Sequence, residues 1–425
     1  MNRRNLFQLA AGAAAFALQD DSLKRVHAAA SATKGRTPED MAQDEDYWAE
    51  IRQAYNIDRN VINLNNGHVG PSPRIVQEAL RQYLEYSDMG PYHTLINTLE
   101  RQVEMVRQRL AQAAGCDPEE MAITRNSSES LENAQYGIDL KAGDEVLTTN
   151  QDYPRMLETF RQRERREGIV LKTISFPVPP PSMDDLYNRF ERAVTPKTKL
   201  ILVCHITNRT GQIFPVKRIC QMAHARGIPV IVDGAHAFSQ FPVNISELDC
   251  DYYGVSLHKW TGAPVGTGFL YVRKSRIAST WSLMASSARQ ADDIRKFEEI
   301  GTHPAANHNA ISAALIFNEG IGIDRKAARL RYLRDRWAHR LVQNKKCKTL
   351  HSEDPAQSCG IGFLGFADGI EPPKVASALV SKYAIYTAVM MHEEYGGLRI
   401  TPNIYTPVED VDTFAQAVEK EVKAL

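Results

Sequence analysis

From about residue 60 to residue 300, short apolar runs alternate with stretches whose apolar positions recur every three or four residues. The clearest runs cover residues 145–149, 169–176, 200–204, 229–232, 252–256 and 268–272. Continuous apolar runs of this length fit strands buried on both faces. Between them, Leu186, Phe190 and Val194 share one helical face, with Ser182 placed to cap its start. Val216, Ile219, Cys220 and Ala223 share another, closed by Gly227. This alternation predicts an α/β fold, a mostly parallel sheet with helices on both faces. Ligands of such sheets gather at the carboxyl ends of the strands.

Near residue 300 the pattern changes. His303-Pro304-Ala305 leads into longer helical patterns, including residues 330–342. A short α+β segment follows, and a helix from about Val411 closes the chain. The expected division is a large domain over 60–300 and a smaller α+β domain over 301–425, with 40–59 as candidates to complete it. No internal repeat is visible. Pro177-Val178-Pro179-Pro180-Pro181 reads as a rigid surface connector.

Composition narrows the picture. A chain of 425 residues favours two domains over one core. Fifty-one basic and 51 acidic residues give zero net charge, which speaks against a nucleic-acid binder or a polybasic membrane patch. The six cysteines form no CxxC pair, so neither a zinc site nor any other metal site is expected. Cys204 and Cys220 fall in apolar runs and read as core residues. At the N-terminus, Arg3 and Arg4 precede an uncharged, Ala-rich run from Leu6 to Leu18, too short to cross a bilayer. Residues 1–32 therefore read as a signal peptide of twin-arginine type, with small-residue cleavage around Ala28 to Ala32 and a periplasmic product. If that reading fails, the protein is cytoplasmic.

The chemistry concentrates at two strand ends. One reads Val230-Ile231-Val232-Asp233-Gly234-Ala235-His236, the other Val255-Ser256-Leu257-His258-Lys259-Trp260. An Asp or a Lys after a strand is weak evidence alone. Together they suit pyridoxal phosphate, which needs a lysine amine with a lowered pKa and a carboxylate beside its pyridine nitrogen. Lys259 and Asp233 are the candidate catalytic pair. Thr124-Arg125-Asn126-Ser127-Ser128-Glu129 follows an apolar run and opens a helical pattern. Ser127 and Ser128 either cap that helix or, with Ser256 and His258, hold the cofactor's phosphate at the helix start.

These motifs resemble the class V aminotransferase family of fold type I pyridoxal phosphate enzymes, and its isopenicillin N epimerase-like branch above all. The likeness runs from Leu64-Asn65-Asn66-Gly67 to Arg399, with Ser256-Leu257-His258-Lys259-Trp260 as the lysine motif. It implies that His236 sits by the ring oxygen or phosphate, Tyr153 stacks on the ring and Asn208 reaches the ring hydroxyl. It implies that Arg399 grips the substrate carboxylate, with Asn66 also on the substrate side. Thr302 would reach the partner subunit's phosphate, which implies a homodimer with shared sites. Cysteine desulfurases of the same fold carry a nucleophilic Cys before the carboxylate-binding arginine. Residues 386–398 hold none, so persulfide chemistry is not expected.

The resemblance implies action at the α carbon of an amino acid or an amino-acid-containing peptide, with Lys259 as the base. Transamination, epimerisation, lyase action and decarboxylation all remain open. Epimerisation needs a second acid, for which His68, Tyr92 and His392 are candidates. Exported members of the branch that modify the glutamate of a pyoverdine siderophore precursor supply a narrower alternative. A non-catalytic binding protein of the same fold is the alternative from another class. Lys259, Asp233 and Arg399 together speak against it.

Overall fold

The structure is a computed structural model and describes residues 21–33 and 35–424. Arg3, Arg4 and the run from Leu6 to Leu18 lie outside the described residues. Part of the expected cleavage region lies in the helix Asp21–Ala32, whose Val26 is fully buried among large-core residues.

Strand β1 (Ile62–Asn63) precedes the main sheet. That sheet has seven strands: β2 (Met121–Thr124), β3 (Glu145–Thr149), β4 (Val170–Ile174), β5 (Thr198–Cys204), β6 (Val230–Asp233), β7 (Tyr252–Ser256) and β8 (Gly268–Val272). Their spatial order is β2-β8-β7-β6-β5-β3-β4. The pairs from β7 to β4 are parallel, and only β8 runs against its neighbours. The expected mostly parallel α/β architecture is therefore present. Because β8 is antiparallel to both β2 and β7, β2 runs in the same direction as β7. Six carboxyl ends, those of β2 to β7, thus open on one edge.

Strands β5 to β8 are apolar along most of their length because both faces are covered. Ile201, Val203, Val230, Val232 and Val255 belong to one apolar cluster, while Leu200, Leu202, Ile231 and Leu270 belong to the other. Their alternation along each strand follows the two-residue period of the pleat. Ser182 caps its helix by accepting from the Asp185 amide at 3.1 Å, and Gly227 takes a φ of 69° beyond the helix Val216–His224.

A smaller sheet follows, with β9 (Cys347–Thr349), β10 (Gly362–Phe366), β12 (Ala388–Met391) and β13 (Gly396–Ile400) in the order β12-β13-β10-β9. Strand β11 (Ile385–Tyr386) instead pairs in parallel with β1. Apolar packing places the division later than residue 301. The helix Ala305–Ile321 packs in the large cluster through Ile311, Leu315 and Phe317. The helix Ile323–Leu341 crosses the division, with Leu330 in the large cluster and Leu333 and Trp337 in the small one. Residues 40–59 side with the large cluster through Met41, Trp48 and Ile51, whereas Leu64 joins the small one.

Candidate active site

Strand ends bring the expected residues to one edge. Ser127, Tyr153, Asn208, Asp233, His236 and Lys259 line one pocket, together with Cys204. Asp233 ends β6, and Lys259 follows β7 by three residues. Tyr153 follows β3 at the start of the helix Pro154–Glu167, where a proline at the first helical position fixes the turn.

The Lys259 amine stands 3.0 Å from His236 Nε2. Burial pushes its pKa down to about 8, against the pull of Asp233 and with the push of Arg399. Burial likewise holds His236 well below its ordinary value, so its ring is neutral. Trp260 Nε1, which can only donate, faces His236 Nδ1 at 3.4 Å. Nδ1 is then the acceptor, and the ring proton sits on Nε2, pointing at Lys259. Only a neutral amine accepts that proton, which is the form needed for condensation with an aldehyde.

Asp233 is buried, and burial raises its pKa to about 6 while Lys259 pulls the other way. Oδ1 accepts from the Ala235 amide at 3.0 Å. A buried carboxylate with so few partners is costly unless a cation joins it. Beneath it, Cys204 is buried near Asp152 and Asp233, and its thiol pKa is pushed well up. Cys204 is thus a pocket residue as well as a core residue, because it occupies the last position of β5. Asp152 accepts from the Thr149 amide at 3.0 Å and from the Thr149 hydroxyl at 2.5 Å, which fixes the turn bearing Tyr153.

At the helix Ser127–Gly137, Asn126 is the cap, accepting from the Glu129 amide at 3.0 Å. Ser127 is freed for another task. Its amide donates to Ser256 Oγ at 2.9 Å, and Ser256 Oγ donates to Ser127 Oγ at 2.8 Å. The proton of Ser127 Oγ can then point outward. Ser128 is half-buried in the same first turn. Gly268 permits this close approach, because a Cβ there would lie 2.7 Å from Asn126 Cα. His258 Nδ1 and Asn208 Oδ1 are buried without partners. A phosphate on the serine side, a cation by Asp233 and a ring hydroxyl by Asn208 would answer these needs. The residues present therefore fit pyridoxal phosphate.

Arg399 comes from β13 and is 3% exposed. Nη1 donates to Asn208 O at 2.9 Å and Nη2 to Asn65 Oδ1 at 2.8 Å, while Nε is buried without a partner. Burial lowers its pKa to about 10. No acidic side chain among the described residues pairs with it, which leaves its charge for a ligand carboxylate.

Asn66 corrects the expected substrate side. Its Nδ2 donates to Asn63 O and to Thr401 O, both at 2.9 Å. Its Oδ1 accepts from Asn63 Nδ2 at 3.2 Å and from Tyr405 OH at 2.5 Å. With all four positions used, Asn66 is structural, and its neighbour Asn65 holds the arginine. The same segment runs on to Gly70, whose amide donates to His258 O at 3.0 Å. A Cβ on Gly70 would meet Lys259 O at 2.4 Å.

Thr302 is exposed just before the helix Ala305–Ile321, outside the pocket lining. Of the candidate second acids, exposed His68 lies near His236 and His258. Tyr92 is 76% exposed at the start of a π-helix, Tyr92–Leu99. His392 stacks on Tyr395 at 4.8 Å, and Tyr395 OH donates to Gln151 Oε1 at 2.9 Å. That hairpin latches onto the turn bearing Tyr153 and carries no Cys. Cys359 is fully buried elsewhere, donating to Gln240 O at 3.5 Å.

The family model "Aminotransferase class-V" matches residues 63–414. Among curated proteins, an isopenicillin N epimerase of Streptomyces clavuligerus is 28% identical over 389 residues, covering 88% of this chain and 98% of its own. A probable cysteine desulfurase of a Synechocystis strain is 32% identical over 236 residues, 52% of this chain and 55% of its own. Among solved structures, the apo cysteine desulfurase of Thermococcus onnurineus NA1 superposes with a TM-score of 0.78 at 24% identity, covering 92% of this chain and 99% of its own.

Proposed function

The chain belongs to the class V aminotransferase family of pyridoxal phosphate enzymes, and on that premise we propose that it works at the α carbon of an amino acid or amino-acid-containing peptide, by transamination or epimerisation. The observation that carries this reading is Lys259 facing His236 at 3.0 Å, in one pocket with buried Asp233 and beside the unfilled guanidinium of Arg399.

When bound, pyridoxal phosphate supplies a ring that withdraws electrons from the substrate's Cα. Lys259, its pKa lowered to about 8 by burial and its amine oriented by His236, would give the amine that anchors the cofactor and the base for the Cα proton. Asp233 would keep positive charge on the ring nitrogen. Tyr153 would cover one ring face, and Asn208 would meet the ring hydroxyl. Ser127, Ser128, Ser256 and His258 would hold the phosphate, and Thr302 would serve the site of a partner subunit. Arg399, aligned by Asn65, fixes the substrate carboxylate so that the Cα–H bond faces Lys259. For transamination, Lys259 would be the one group that both takes the Cα proton and gives it back. Delivery of a proton to the opposite face of Cα would give epimerisation, with His68, Tyr92 and His392 as the candidate donors.

Persulfide chemistry is disfavoured by the pocket's own thiol. Cys204 is kept protonated by burial and by two carboxylates, and a thiol in that state is a poor nucleophile. The Arg3-Arg4 start supports export, and a glutamate-bearing siderophore precursor then belongs among the substrates offered.

The test incubates the purified, cofactor-loaded protein in D2O with L- and D-amino acids and with glutamate-bearing peptides. Deuterium at Cα with inversion means epimerisation. A 2-oxo acid product means transamination. No visible cofactor band, or no deuterium uptake with any of these substrates, sinks the reading.

A further inference from the structure

Behind the lysine loop, outside the pocket described above, lies a second cavity of about 650 Å3, within the range of small-molecule sites. Phe238, Phe241, Val243, Leu315 and Ile323 supply apolar walls. Lys326, only 2% exposed, is also part of its lining.

Lys326 has no role in the chemistry at Lys259. Its ammonium donates to Trp260 O, in a very short contact, and to Asn318 Oδ1 at 2.7 Å. An ammonium has three protons, so one remains unassigned. No carboxylate among the described residues lies within ion-pairing distance of it. The two acids at the cavity rim are engaged elsewhere: Glu247 accepts from Asn244 at 3.0 Å, and Glu319 pairs with Arg109 at 3.5 Å. Burial without a counter-ion pushes the amine down to about 7. A buried cation with no counter-charge is costly, and a ligand anion removes that cost.

Ser239 adds an independent sign. It lines the same cavity with a φ of 60°, a left-handed backbone that an L-residue rarely adopts. Its Oγ already accepts from Thr261 Oγ1 at 2.9 Å, which leaves the serine's own proton to donate. Lys326 and Ser239 thus offer two donors beside an apolar chamber.

We propose that this cavity binds an amphipathic monocarboxylate, its head on Lys326 and Ser239 and its hydrocarbon chain against Phe238, Phe241 and Leu315. The site is separate from the reaction at Lys259, and binding is measurable even if turnover is never found.

The experiment uses the full, cofactor-loaded chain and titrates it with decanoate and with decan-1-ol by calorimetry. Decanoate is expected to bind at least tenfold more tightly than the alcohol. In Lys326→Met the two are expected to bind within twofold of each other. Ala113→Trp puts bulk into the cavity from an exposed position on its wall, away from Lys326. That variant is expected to lose decanoate binding while keeping its circular dichroism and its visible cofactor band. Failure of the wild-type protein to bind decanoate, equal binding of the two probes, or undiminished decanoate binding in Ala113→Trp overturns the proposal.

Discussion

Replacing Arg399 by Met tests how the substrate is held. The guanidinium is buried, spends one donor on Asn208 O and one on Asn65 Oδ1, and keeps Nε unpartnered. A substrate carboxylate would take two charge-assisted bonds, each worth about 1.5–3 kcal/mol. Their loss raises the barrier measured from free enzyme by about 3–6 kcal/mol, a fall in kcat/KM of roughly 10²- to 10⁴-fold. Lysine at this position keeps the charge and loses the fork, so Arg399→Lys is expected to fall between the two. Asn65 and Asn208 are only half-buried, so water can replace the lost donor and the fold is expected to survive. The assay compares kcat/KM for the preferred amino acid with that for the matching amine lacking its carboxylate. Arg399→Met is expected to erase the preference for the amino acid while leaving cofactor affinity within threefold. Equal losses on both substrates would refute the assignment, since an arginine that serves only the fold does not distinguish them.

Three further outcomes follow from the pocket. Lys259 has a folded pKa of about 8, below its ordinary 10.5, so below pH 8 its buried charge costs stability in full. As pH rises from 8 to 10.5 the unfolded chain holds more protons, so cofactor-free wild-type protein should gain stability relative to Lys259→Met in urea unfolding; parallel curves would count against it. Asp233 titrates near 6, so cofactor affinity of the wild type should weaken as pH falls through 6. Asp233→Asn should bind more weakly at pH 7 and lack that step, and an identical step in both proteins would exonerate the residue. Ser256→Ala removes both links to Ser127, so pyridoxal phosphate should bind about tenfold more weakly, on the order of 1–1.5 kcal/mol, while phosphate-free pyridoxal is unaffected. Equal weakening of the two ligands would place the serines outside the phosphate site.

The large sheet was legible because a strand buried on both faces must be apolar throughout, and such runs stand out between turns. Lys259, Asp233 and Ser127 were legible because Asp233 ends such a run and the other two each follow one by three residues. Asn65 was not. Strand β1 has only two residues, so no alternation fixes which of two adjacent asparagines faces the site. Cys204 was misread as core alone because an apolar run shows burial but not that its last residue meets a pocket. The division between the apolar cores was hidden inside the helix Ile323–Leu341, since one helix can serve two cores without any break in its period. The pairing of Ile62 with Ile385 joins residues far apart in sequence, and no local signal announces it.

The segment from Asn65 to Gly70 works as a gauge. One end grips the arginine that would take a carboxylate, and the other end backs the carbonyl of Lys259, the base that would take the Cα proton. Five residues of extended chain span at most about 17 Å, so the covalent length of this tether bounds how far apart the two grips can stand. Domain motions that opened the cleft would have to pivot about the tether or unwind its turn over residues 66–68, within that bound. The distance between the carboxylate grip and the base at Lys259 is therefore bounded by a count of backbone units. A one-residue insertion between Gly67 and Gly70 would reset that spacing while leaving every pocket side chain unchanged.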